Sequence, residues 1–174
     1  AIDSFKQALQ IKPDYADAYN NIGTVLFDKG DLEAAIDSFK QALQIKPDYA
    51  DAYYNMGNAL QDKRDVEAAI DSYKKALKIK RDYAEAYYNM GNALQDKGDL
   101  KAAIDSYKQA LQIKPDFAQA YINMAAALKK VIFTRQNSGL MEIIVSLLDQ
   151  KTTARPRDIA LAAIRLLKLE PTWK

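Results

Sequence analysis

The chain has 174 residues, 49% of them apolar and 28% charged, a globular rather than a disordered composition. It has no Cys and no His, which excludes disulfides, thiolate and imidazole metal sites, cysteine nucleophiles and imidazole bases. A net charge of +2 makes no electrostatic case for nucleic acid, no apolar run reaches the roughly 18 residues of a membrane span, and no basic-then-apolar leader opens the chain.

The first segment, residues 1–14, reads as a helix with an apolar edge of Ile2, Phe5 and Leu9. Ala1 aligns with Ala35, inside a later helix, so the segment is expected to be the second helix of a truncated repeat in a longer chain. From residue 15 onward a 34-residue lattice is visible. Pro13, Pro47 and Pro115 lie on it, with Arg81 in the remaining slot. Gly23, Gly57 and Gly91 lie on it with Ala125, and so do Tyr19, Tyr53, Tyr87 and Tyr121. Segments 49–82 and 83–116 share 27 of 34 residues, which points to duplication.

Each period holds two helical patterns. Over 49–62, Ala52, Tyr53, Met56, Gly57 and Leu60 recur at steps of three and four; over 65–80, Ala69, Ile70, Tyr73, Ala76 and Leu77 do the same. Asp48 and Asp82 sit where N-caps are expected, with Asp51 and Glu85 three residues on, a capping-box spacing. Lys29-Gly30-Asp31 and Lys97-Gly98-Asp99 read as a Gly C-cap followed at once by an Asp N-cap. Arg64 replaces that Gly in the middle repeat, at a cost of about 1 kcal/mol if the left-handed backbone is kept. Pro47 and Pro115 are expected to close the second helices. The small residues Gly57 and Gly91, with Ala69, Ala76, Ala103 and Ala110, are expected to let backbones approach, because neither helix can bury its stripe alone.

The complete units are 15–48, 49–82 and 83–116, and residues 117–130 form a fourth first helix. After Lys130 the lattice breaks, 134–139 reads as a loop, and 131–174 is expected to be a divergent helical cap. Net charge is −3 over 1–116 (16 basic, 19 acidic) and +5 over 117–174 (9 basic, 4 acidic), most simply a solvated cap.

The period and the pattern Tyr53-x2-Met56-Gly57-x2-Leu60 with Ala69-x3-Tyr73-x2-Ala76 resemble the tetratricopeptide repeat family over residues 1 to about 130. The resemblance implies an all-α, right-handed superhelical solenoid of helix-turn-helix repeats with a C-terminal helical cap. It also implies that the first helices line a concave groove. The slots that such helices present are Asp51, Tyr54, Asn55, Asn58, Gln61 and Asp62 in one repeat and Glu85, Tyr88, Asn89, Asn92, Gln95 and Asp96 in the next. Asn21, Asn55, Asn89 and Asn123 form an unbroken ladder, similar to the asparagine ladder in the repeat array of the O-GlcNAc transferase family. A primary amide both donates and accepts, so such a ladder could pair with an extended peptide backbone; it could equally satisfy neighbouring helices. Repeats that clamp the carboxylate tail of chaperones use Lys and Arg where this chain has Asp, Asn and Tyr, so a neutral or basic peptide is expected.

The function expected is a protein–protein interaction scaffold that binds an extended peptide in the groove. It is expected not to be an enzyme: Ser4, Ser38, Ser72 and Ser106 occupy one slot, and groups spaced by whole repeats do not build one asymmetric acid–base pair. No cofactor, metal, nucleic acid or membrane is expected. The acidic groove would repel phosphate, and the Gly residues are isolated. The alternatives are a self-assembly module using the apolar edge of residues 1–11, and a substrate-selecting region of a larger transferase. Residues 155–167 resemble tails that follow such arrays in marine cyanobacterial proteins, which implies a bacterial and, without targeting signals, cytoplasmic protein.

Overall fold

The computed structural model of the protein describes residues 2–134, and these are helical with short turns. The order is α1 (Ile2–Ile11), α2 (Ala16–Asp28), α3 (Leu32–Ile45), α4 (Ala50–Asp62), α5 (Val66–Ile79), α6 (Ala84–Lys97), α7 (Leu100–Ile113) and α8 (Ala118–Thr134). Helices α2/α3, α4/α5 and α6/α7 are antiparallel pairs, and each pair packs on the next. First helices touch each other along the stack (α2 on α4, α4 on α6, α6 on α8), whereas the second helices α3, α5 and α7 do not meet. That asymmetry puts the first helices on the inner side of a solenoid and the second helices outside. The expected cap lies almost wholly in 135–174, outside the described residues.

The core follows from the lattice. Ala35, Ala52, Ala59, Ala69, Ala76, Ala86, Ala93, Ala103 and Ala110 are 0% exposed. Between them sit Phe39, Tyr73 and Tyr107, one aromatic per pair and each almost fully buried. Burying such a ring contributes about 1.5–3 kcal/mol. The lattice glycines serve these rings rather than a backbone approach. A Cβ on Gly57 would stand 2.6 Å from Cε1 of Tyr73, and one on Gly91 would stand 2.5 Å from Cε1 of Tyr107.

The turns within each pair match expectation. Asp31, Asp65 and Asp99 cap the second helices by accepting from the backbone N–H of Ala34, Ala68 and Ala102. Gly30 and Gly98 are left-handed at φ 81° and 89°, and Arg64 keeps that conformation at φ 70°.

The turns between pairs differ from expectation. Tyr49 and Tyr83, not Asp48 and Asp82, hold the N-cap positions, and they make no side-chain cap. At the later two entries an aromatic ring packs across the boundary instead: the Tyr83 ring lies tilted against Tyr54 and the Phe117 ring against Tyr88, with centroids 4.9 and 4.8 Å apart. Helix α5 ends at Ile79, in register with α3 and α7, although Arg81 stands where the others have Pro. Proline is therefore not what stops these helices. The fourth first helix runs to Thr134 rather than Lys130, because Ile132 replaces the Gly that turns the chain elsewhere.

Candidate functional site

The inner surface is built by α2, α4, α6 and α8, and its polar side chains are largely committed to one another. Asn89 Nδ2 donates to Asn58 Oδ1 (2.9 Å) and to the Tyr54 hydroxyl (3.2 Å). One repeat on, Asn123 Nδ2 donates to Asn92 Oδ1 (2.8 Å) and to the Tyr88 hydroxyl (3.1 Å). At the other end Asn55 Nδ2 donates to Asn20 Oδ1 (3.0 Å), and Asn20 is buried. Asn58 and Asn92 also accept from the buried hydroxyls of Tyr73 and Tyr107, both at 2.8 Å. Burial foremost, then neighbouring Tyr54 or Tyr88, raises both phenols well above the ordinary tyrosine value. These two tyrosines therefore stay neutral donors.

The asparagine ladder is thus a set of bolts between successive first helices. Both N–H groups of the Asn89 and Asn123 amides are spent internally, so these two members offer no donor to a peptide. Asn21 is exposed and stands outside this network, which divides the ladder into one free and three engaged members. Acceptors remain: among the described residues, nothing donates to the Oδ1 atoms of Asn55 and Asn89. Gln61 Oε1 accepts from Tyr73 at 3.0 Å, whereas Gln95 Oε1 is buried without a partner among the described residues.

The acidic slots also divide. Burial first, then the charge of the neighbouring Asp51, raises the Tyr83 phenol, and burial with Asp17 beside it raises that of Tyr49. The next aromatic is Phe117, which has no hydroxyl, and there Glu85 pairs with Lys114 at 3.3 Å. Asp51 therefore lies beside a ring of the next repeat, and Glu85 is paired within its own repeat. Asp62 and Asp96 are exposed and pair with no described cation. They rim an open depression of about 470 Å³ near the turns, with Phe27, Leu32, Gln61 and Arg64.

Periodicity located the inner face but not these joints. Tyr73, Tyr83 and Phe117 belong to the network and were not among the expected site residues. Their spacing was a usable signal, since most bonds between first helices join residues 31 or 35 positions apart, close to one lattice period.

An open stack of helix pairs with a continuous polar inner face is the build of a repeat scaffold. Family models described as "TPR repeat" match residues 1–27, 23–64 and 57–98, and one described as "Tetratricopeptide repeat" matches 84–117. The chain belongs to the tetratricopeptide repeat family. No curated protein matches it. Among solved structures it is similar to MamA, with 26% identity and a TM-score of 0.75 over 97% of this chain and 90% of that one. The first TPR of Spaghetti (RPAP3), bound to the HSP90 peptide SRMEEVD, is similar at 21% identity and a TM-score of 0.66, over 67% of this chain and 92% of that one. The second TPR domain of human RPAP3, in complex with the HSP70 peptide SGPTIEEVD, gives 21% and 0.63 over 64% and 93%. No described helix is long and apolar enough to cross a membrane.

Proposed function

We propose that this protein is a non-enzymatic interaction scaffold whose inner face binds an extended peptide of neutral or basic character. The observation that carries this reading is the set of free acceptors on that face: the Nδ2 groups of Asn89 and Asn123 are used between helices, whereas the Oδ1 atoms of Asn55 and Asn89 and the carboxylates of Asp62 and Asp96 have no described donor. Such a surface is complementary to backbone N–H groups and to Lys or Arg side chains. The RPAP3 domains of similar fold carry peptides ending in acidic residues. The inner slots here hold Asp, Asn and Tyr, so the ligand differs in charge from theirs. The reading needs no cofactor, metal, nucleic acid or membrane, and with it we propose a cytoplasmic location.

The test is peptide-display selection on the protein, with an Asp62→Asn/Asp96→Asn variant as counter-screen. These carboxylates make no described contact, so the variant keeps the fold. A neutral or basic motif enriched on the parent and depleted on the variant supports the reading. Absence of enrichment, or equal enrichment on both, removes it.

A second reading is self-assembly through α1. Phe5 and Leu9 are only half-buried, Ile11 is 88% exposed, and the equivalent Phe39 is 1% exposed. Sedimentation shows a mass that rises with concentration under this reading and a constant monomer mass otherwise.

A further inference from the structure

The repeats break their own pattern on the outer face of one helix. Three slots on the second helix and its following turn hold Gln7, Gln10 and Pro13, then Gln41, Gln44 and Pro47, and later Gln109, Gln112 and Pro115. Only around α5 are they Lys75, Lys78 and Arg81. Segments 49–82 and 83–116 differ at seven positions, and three of those differences form this one stripe, each turning a neutral residue into a cation.

The fold does not require the change. Lys and Gln have nearly equal helix propensities. Basic residues near a helix C-terminus complement its dipole, but α3 and α7 reach the same length with Gln in those slots. Replacing Pro by Arg gives up a residue that restricts the unfolded chain. All three side chains are exposed. Lys75 lies over the Tyr53 ring, 5.6 Å from its centroid, and Lys78 and Arg81 have no partner among the described residues. Ile79, between them in sequence, is 41% exposed. Of the acids on α5, Asp71 pairs with Lys74 at 3.8 Å and Glu67 with Lys97 at 3.5 Å, while Asp82, next to Arg81, is exposed.

We infer that this stripe is a second docking surface, separate from the inner groove, for a short acidic segment of a protein partner. Lys75 and Lys78 lie about 4.5 Å apart along the helix, at 1.5 Å per residue, and Arg81 follows just beyond its end. That reach matches two or three neighbouring carboxylates on an extended segment. It is too small for nucleic acid, whose binding rests on neutralising many phosphates, and it offers no large apolar wedge for insertion into a bilayer. The half-exposed Ile79 adds apolar contact suited to a protein surface.

The test is titration with a fluorescein-labelled Glu-rich peptide at low salt. The Lys75→Gln/Lys78→Gln/Arg81→Pro variant restores residues that the other repeats already carry, so it folds by construction. It is expected to bind at least about tenfold more weakly than the parent. The Asp62→Asn/Asp96→Asn groove variant keeps parental affinity, which separates this surface from the peptide groove. The Gln109→Lys/Gln112→Lys/Pro115→Arg variant is expected to double the stoichiometry. Binding unaffected by the stripe variant overturns the proposal, as does no binding to the parent. Stripe-dependent binding of phosphatidylserine vesicles or single-stranded oligonucleotide that is tighter than peptide binding also overturns it.

Discussion

Arg64 carries the clearest local cost in the chain. It keeps a left-handed φ of 70° where the neighbouring repeats have Gly30 and Gly98. At those glycines a Cβ would meet nothing within 4 Å, so the cost at Arg64 is conformational and not steric. Arg64→Gly is expected to stabilise the protein by about 1 kcal/mol in urea unfolding, with an unchanged m-value. Gly57 is the opposite case, because its missing Cβ makes room for the Tyr73 ring. Gly57→Ala is expected to destabilise by about 1–3 kcal/mol, and Tyr73→Leu in the same chain to recover part of that loss, a coupling read from a double-mutant cycle. Asn89 is a bolt rather than a free ligand group. Asn89→Ala is expected to cost about 1–2 kcal/mol by removing two bonds between repeats, whereas Asn21→Ala, at an exposed site, is expected to change stability by less than about 0.5 kcal/mol.

At the scale of elements, helix pairs and their inner turns were legible because local chemistry decides them. Asp31, Asp65 and Asp99 cap by their own carboxylates, and the left-handed slot sits just before them. The turns between pairs were not legible in the same way. Asp48 and Asp82 have the right chemistry for caps, but Tyr49 and Tyr83 hold those positions, and at Tyr83 and Phe117 a ring packs across the repeat boundary. The inner face shows the same limit: a 34-residue period says which residues share a face, not whether that face bonds to itself. These tyrosine joints also give a pH dependence. Tyr49, Tyr73, Tyr83 and Tyr107 have folded-state values raised above the ordinary value near 10. Below that pH both folded and unfolded chains keep the phenol protons, and stability is undiminished. Above it the unfolded chain releases protons that the folded chain retains, so stability falls as pH rises. Absorbance of tyrosinate is expected to show these groups ionising together with loss of helical circular dichroism, and not in a separate step near pH 10.

Across the whole molecule, stability follows the stack. Pairs α4/α5 and α6/α7 have neighbours on both sides, whereas α1 packs only on α2. Hydrogen exchange is expected to be slowest in α4–α7 and fastest in α1, because each pair of a solenoid borrows stability from its neighbours. The charge pattern has a long-range consequence too: free carboxylates face inward near the turns, and the basic stripe of α5 faces outward. One stack can therefore hold a basic segment inside and an acidic one outside without the two competing. The central claim is that the inner face is the peptide site. The most direct measurement is backbone amide NMR mapping with a neutral or basic peptide obtained by display. Shifts are expected to concentrate on the first helices α2, α4 and α6, around Asn55, Asp62, Asn89 and Asp96, with α3 and α7 silent. Shifts confined to the second helices or to α1, with the inner face unmoved, would contradict it.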